Sequence, residues 1–435
     1  MRDPSDRSLE PVMGFGKYLS RDRFFAIESK IRFAPPEDPD LDAEDRDPYH
    51  PVRRLIERFN DHRKDLITAG AYLTLDEMMS AWKGVDDKYT AEGCPGLTYI
   101  ARKPQPWGIE FKSVCCGITG ICLFLEIQEG KDRMAKAKYR DHYPPAVALV
   151  LRLCDQWAGS CRVIIGDSAF GSLASLVALH SLLGLFCIMV VKQACSRFPK
   201  EHLVKWADKL PYAARGAHKV LRTAYKKELP RGLAHMGLPD PDREYPAFAF
   251  GWKDRKAICL VANVGTTLPG EPFKRPRWTK QLSEDGKQYV TVPRYRTIPC
   301  PEVVRRFYKY FSAIDIHDHL RQGSLAVHQN WHTQCWWHRV YSNVIAIAVV
   351  DAFLMYRYYA TRTLMEEKEL VNFTEFVDLL AHQLATNVLD VPAQAATRTK
   401  RPAERSADGQ WVCCRPIFMT CLTPPPPLSH GKYTH

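Results

Sequence analysis

The fourteen cysteines of this 435-residue chain include no C-x-x-C pair, only the doublets Cys115-Cys116 and Cys413-Cys414. Neither a disulfide framework nor a paired-ligand zinc module is indicated, and reduced, mostly buried thiols are expected. No G-x-x-x-x-G-K segment is present to cradle a nucleotide phosphate, and no G-x-S-x-G elbow or protease-like cysteine context supplies a nucleophile. The opening Met1-Arg2-Asp3-Pro4-Ser5-Asp6 has neither the apolar centre of a secretory signal nor an Arg-rich transit helix. The longest apolar run, Ala174 to Val191, is broken by His180, two serines and Gly184, so it reads as a helix and a strand rather than a membrane span. No internal repeat is evident. An intracellular protein without a membrane partner is expected.

What the chain has in excess is positive charge. Lys and Arg number 61 against 49 Asp and Glu, a net +12 with pI near 9.0, which points to a polyanionic partner. Residues 192 to 311 hold 25 Lys/Arg and 11 Asp/Glu, so their balance of +14 exceeds that of the whole chain. In this stretch Trp206, Trp252, Trp278, Tyr289 and Tyr295 are interleaved with Lys253, Arg255, Lys256, Lys274, Arg275, Arg277 and Lys280. Cations that track phosphates beside rings that stack or wedge suit nucleic acid; a solvated loop-rich insertion is the plainer alternative.

The order of elements adds a fold class. Residues 17 to 33 and 52 to 66 carry helical apolar periodicity around an acidic, proline-rich loop, which predicts an N-terminal helical layer. From Ala71 the pattern becomes strand (71–78), strand (108–116), strand (120–127), helix (144–157), strand (161–166), helix (172–183, stopped by Gly184) and strand (185–191). Three strands followed by alternating helices and strands is the order of an α/β ribonuclease-H-like core, a mixed sheet with flanking helices. Short β runs such as 256–263 and 289–292 follow, then helices over 315–327 and 337–359, the second apolar on most sides. The expected domains are 1–70 (helical), 71–191 (first part of the core), 192–302 (basic insertion domain), 303–359 (second, helical part of the core) and 360–435 (a helix and a poorly ordered tail).

Four acidic residues, at three places along the chain, make chemistry available on such a sheet. Asp76 lies inside the first strand, Asp167 ends the fourth, and Asp315 and Asp318 share one face of a later helix. The first and fourth strands of this fold are neighbours, so their carboxylates can converge with one from the helix, a cluster that needs divalent cations to be tolerable. Hard oxygen ligands select Mg²⁺ or Mn²⁺, and a pair of such ions can activate a water or 3′-hydroxyl and stabilise the leaving oxygen in phosphodiester transfer. Each residue also has an ordinary reading: Asp167 as a helix cap or turn residue, Asp315 and Asp318 as complements to a helix dipole. Glu77 is expected on the opposite strand face. The histidines 317, 319, 328, 332 and 338 surround Trp331, Trp336 and Trp337 and read as packing or DNA contact rather than a metal site.

These motifs resemble the piggyBac-type transposases: Thr74-Leu75-Asp76-Glu77-Met78, Arg102-Lys103-Pro104 with Gly108 to Lys112, Gly166-Asp167-Ser168-x-Phe170-x-Ser172, and Ile314-Asp315-x-x-Asp318, over roughly residues 14 to 357. The resemblance implies a ribonuclease-H-like core interrupted by an insertion domain, metal-dependent cleavage and strand transfer at transposon ends, TTAA target sites and DNA-bound homodimers; a nuclear location is expected, with Arg398-Thr399-Lys400-Arg401 reading as an import signal or as solvated tail. Its aspartate triad falls on Asp76, Asp167 and Asp315, with a further aspartate at Asp318, and about two Mg²⁺ or Mn²⁺ ions are implied. Lys103 and Lys112 of the shared motifs join the basic residues of the middle segment as expected DNA contacts. Two positions depart from the family pattern, Ala169 where tryptophan is common and Ser312-Ala313 where Gly-Gly is common. Cys413, Cys414, Cys421, His430 and His435 lack the paired spacing of the family's C-terminal zinc module, so structural zinc is not expected. A catalytically inactive DNA-binding derivative of such a transposase is the alternative.

Overall fold

The computed structural model describes residues 19–38, 40, 42, 46–84, 93–101, 103, 105–191, 197–237, 240–282, 288–331, 333–362 and 370–386. The cysteines and histidines of the tail, and the order expected of it, lie outside these residues, as do the side chains of Arg277 and His328. Two compact units divide the chain. In the first (1–31, 65–68, 375–435) the helix Arg21–Glu28 begins at Ser20, whose hydroxyl accepts the Arg23 N–H at 3.3 Å. The second (32–64, 69–374) holds the sheet.

Eleven strands are described: β1 Tyr72–Ala81, β2 Thr98–Tyr99, β3 Trp107–Cys116, β4 Cys122–Ile127, β5 Val163–Gly166, β6 Phe186–Val190, β7 His218–Lys226, β8 Glu244–Lys253, β9 Ala257–Ala262, β10 Phe273–Leu282 and β11 Tyr289–Ile298. The large sheet runs β3-β1-β5-β6-β9-β8-β7, with β2 and β4 both on the outer side of β3. β1 is antiparallel to β3 but parallel to β5, and β5 is parallel to β6. This is the mixed α/β sheet that the element order implies. β5 reads Val-Ile-Ile-Gly because it is buried at all four positions; a strand covered on both faces has no polar side to alternate with.

Segment 192–302 contributes both to the large sheet and to a ribbon outside it. Its described strands β7 to β9 continue the large sheet, β9 lying antiparallel on β6, and its strands β10 and β11 pair with each other as a two-stranded ribbon. The apolar run Ala257–Ala262 buries against β6 rather than standing in solvent, which is why the sheet extends instead of stopping.

Helix packing fixes the parts of the sheet that matter here. The helices His50–Leu66, Ala313–Leu320 and Trp336–Ala360 share one apolar cluster with Met78, Phe111, Leu125 and Ile127. Asn60 clasps the free edge of β4, its amide donating to Leu125 O and its oxygen accepting Leu125 N–H, both at 2.9 Å. The helix Glu302–Phe311 buries Val303, Val304 and Phe307, and Tyr310 stacks on Tyr72 of β1 at 3.9 Å while its carbonyl accepts the Thr74 hydroxyl at 2.8 Å. Trp336–Ala360 is, among the described residues, the one helix long and apolar enough to cross a membrane. Its buried Asn343 and Asp351 are engaged by Arg321, Arg63 and the Cys122 N–H, so it serves as the core helix of a globular unit. The ten described cysteines are free thiols, eight of them buried.

Candidate metal centre

The register of β1 on β5 places the first two carboxylates. Leu75 pairs with Gly166, so the next residues along these parallel strands, Asp76 and Asp167, stand side by side where β5 ends. After Gly166 the chain turns sharply: the Asp167 carbonyl accepts Phe170 N–H at 3.2 Å and Gly171 N–H at 3.0 Å, and its carboxylate accepts Ala169 N–H at 2.7 Å. Gly171 has no room for a side chain, since a Cβ there would lie 1.8 Å from the Val190 carbonyl of β6. The helix that follows is capped by Ser172, which accepts the Ser175 N–H, so Asp167 is a turn residue five positions ahead of the cap. Gly184 closes that helix in the left-handed conformation, φ +62°.

Asp76 folds its carboxylate back to accept the Glu77 N–H at 2.8 Å, while its carbonyl accepts the Ser113 hydroxyl of β3 at 3.1 Å. Ligand oxygens of Asp76, Glu77 and Asp167 then lie within 4.8 Å of one another. Asp76 and Glu77 are buried and Asp167 half-buried. Burial first, and then the adjacent Glu77 carboxylate, push the Asp76 carboxyl up to about 8. Three acids in so small a dry space favour either a proton or a bound cation.

The expectation that Glu77 faces away is therefore corrected. Because the Asp76 carboxylate bends along its own strand over the next residue, the longer Glu77 side chain reaches it from the neighbouring position. A signal for this was present: β1 is buried continuously from Leu73 to Ser80, so a carboxylate on either face needs a partner.

Asp315 and Asp318 stand outside this group of three. Asp315 is exposed; Asp318, three residues on, is buried and fully engaged. One of its oxygens accepts from Arg321 at 2.7 Å and the other from Lys103 at 3.3 Å, and Lys103 also donates to the Glu77 carbonyl at 2.8 Å. Burial works to raise the Asp318 carboxyl, but the Arg321 and Lys103 charges outweigh it and hold it below the usual range. Arg321 is wholly buried and donates to Asn343 and to the Met79 carbonyl of β1 as well. The bracket Lys103–Asp318–Arg321 thus ties the helix carrying Asp315 to the strand carrying Asp76. Nothing local in the sequence marks Arg321, since a lone arginine within the expected helix 315–327 gives no sign of burial.

The basic residues named from the sequence are scattered in their environments. Lys112 sits 2.6 Å from Glu110 and 4.0 Å from Glu77, at the edge of the acidic group. Lys253 is buried, Arg255 and Lys256 are exposed on the turn between β8 and β9, and Lys274 and Lys280 are exposed on β10. Arg275 is half-buried and paired with Asp254 at 3.1 Å.

With this geometry in view, the likenesses to known proteins agree with the sheet. A family model described as Transposase IS4 matches residues 5–353. A piggyBac transposase, solved as a synaptic complex with hairpin DNA, superposes with a TM-score of 0.59 at 18% identity, covering 93% of this chain and 73% of the other. No curated protein sequence matches.

Proposed function

The chain belongs to the IS4 transposase family, and we propose that its acidic centre cleaves and transfers DNA phosphodiester bonds with the help of divalent cations. The observation that carries this reading is the meeting of Asp76 and Asp167 at the end of β5, with Glu77 within 4.8 Å of both. The donor set fits a hard dication: three carboxylates, no thiolate or imidazole, and an Asp76 carboxyl driven up to about 8 by burial and a like charge. Asp76 and Asp167 would hold Mg²⁺ or Mn²⁺, with Glu77 beside them and Asp315 offered from the helix that packs on β1. When bound, such ions lower the pKa of an attacking water or 3′-hydroxyl and stabilise the leaving oxygen. The chain's own contribution is to fix these carboxylates: β1–β5 pairing sets Asp76 against Asp167, the Asp167 turn orients one carboxylate, and the Lys103–Asp318–Arg321 bracket holds the helix of Asp315 in place.

The substrate in this reading is duplex DNA at transposon ends, with TTAA as target sequence, in the nucleus and with the protein acting as a DNA-bound dimer. Purified protein incubated with TTAA-flanked duplex and Mg²⁺ or Mn²⁺ is expected to nick it, and the Asp76→Ala and Asp167→Ala variants are expected not to. Equal product from wild type and Asp76→Ala under both ions would refute the assignment. A second reading, a DNA-binding derivative that no longer cleaves, draws on the exposure of Asp315 outside the group of three. It predicts salt-sensitive DNA binding with no metal-dependent product.

A further inference from the structure

The ribbon β10–β11 leaves the large sheet as a two-stranded antiparallel pair of ten residues each. Its root is built into the body: Ile298 is buried, and the Phe273 ring packs against Tyr308 at 4.9 Å. Beyond the root one face is exposed, with Trp278, Tyr295 and Tyr289 at 68%, 67% and 72%, and the other is exposed at Gln281, Val290 and Arg294 but half-buried at Arg275, Thr279, Val292 and Arg296. A two-stranded ribbon on its own is marginal in water, so the exposed part calls for a partner.

Register sorts what the sequence only interleaved. One face carries Pro276 opposite Tyr295, Trp278 opposite Pro293, Lys280 opposite Thr291 and Leu282 opposite Tyr289. The other carries two successive arginine pairs, Arg275 opposite Arg296 and Arg277 opposite Arg294. Like charges directly opposite each other in a sheet are destabilising. The inner pair is compensated by the body, Arg275 by Asp254 at 3.1 Å and Arg296 by the Tyr212 ring at 5.1 Å. Within the two described strands no acid answers the outer pair, since they contain six Lys or Arg and no Asp or Glu.

We propose that this ribbon is a duplex-DNA arm, lying along a groove with the Arg277–Arg294 pair on the backbone phosphates. A two-stranded ribbon is narrow enough for the major groove, and a polyanion is the partner that relieves the outer arginine pair. The proposal deepens the DNA reading above and rests on it, but it concerns binding alone and needs neither metal nor cleavage.

The test is fluorescence anisotropy of a labelled 30-base-pair duplex with the full chain in EDTA, titrated against NaCl, for wild type, Arg277→Ala/Arg294→Ala, Arg277→Lys/Arg294→Lys and the off-ribbon control Lys205→Ala/Lys209→Ala. Removing two phosphate contacts should lower the log-log salt slope by about 1.8 and weaken binding by tens of fold at 0.1 M salt. The lysine variant should keep the slope and the control should lose little. Melting temperatures of all four serve as the folding control, and Arg294 and both control lysines are exposed. The proposal is overturned by an unchanged slope in the alanine variant, by an equal loss in the off-ribbon control, or by equally tight, ribbon-dependent binding to a single strand of the same length. Ribbon-dependent duplex binding without cleavage under Mg²⁺ would leave the arm standing and remove the enzymatic reading; cleavage with an unchanged slope would do the reverse.

Discussion

Replacing Arg321 by methionine isolates the bracket that positions the helix of Asp315. The guanidinium is wholly buried and donates to Asp318 at 2.7 Å, to Met79 O at 3.3 Å and to Asn343. Methionine fills much of the same volume, so the loss is electrostatic: the buried Asp318 is left with Lys103 alone. Breaking a buried pair by removing one partner costs about 3–5 kcal/mol, chiefly the desolvated charge left behind. Urea unfolding followed by tryptophan fluorescence should show a fall of that size in Arg321→Met. The double variant Asp318→Leu/Arg321→Met removes both charges and should recover about half of the loss or more, since apolar replacement of a whole buried pair is often neutral. If the losses of Arg321→Met and of Asp318→Leu, measured singly, simply add in the double variant, Asp318 and Arg321 do not act as a unit and the bracket is wrong.

Two further outcomes follow from residues near the sheet. His180 lies among Phe186, Tyr225 and Tyr245, and the Tyr225 hydroxyl, which accepts from Asn263, is hydrogen-bonded with its Nδ1 at 2.8 Å. Burial first, and then the Lys227 charge, lower its pKa from 6.5 to about 4. The unfolded chain then binds a proton that the folded one refuses, so its contribution is complete above pH 6.5 and declines as pH falls toward about 4. Between pH 6.5 and 5 the wild type should lose at most about 2 kcal/mol more stability than His180→Gln in paired urea titrations, and identical pH dependence would contradict this. Gly171→Ala places a Cβ 1.8 Å from Val190 O, so the turn must shift, costing about 1–3 kcal/mol and displacing Asp167. An unaltered melting temperature would show that the turn is looser than the close approach implies.

Local pattern carried the core of the fold and little of its long-range pairing. The runs at 71–78, 108–116, 120–127, 161–166 and 185–191 are β-rich for reasons visible in the residues themselves, and their order implies the mixed sheet. That β9 would lie on β6 was not legible, because an apolar run shows that it must be buried but not against what. Asp76 and Asp167 could be paired in advance because neighbouring parallel strands put both at one sheet end. Asp315 and Asp318 could not be told apart: three residues on a helix are separated by about 60° around the axis, and the solvent boundary passes between them. Glu77 was assigned by strict alternation, which holds for the direction of a Cβ but not for where a longer carboxylate ends. In the basic segment, counting charges could not distinguish Lys253, buried in the body, from Lys280, exposed on the ribbon.

The most direct measurement is the melting temperature of the full chain as MnCl₂ or MgCl₂ is raised, compared between wild type and Asp167→Asn in the absence of DNA. A dication held by Asp76, Glu77 and Asp167 stabilises only the folded state, so the wild-type midpoint should climb as ion concentration rises, the folded state gaining about 2.7 kcal/mol at a hundredfold excess over Kd. The Asp167→Asn protein should stay flat. Equal rises in both proteins, or none in either, would contradict a metal centre at the end of β5.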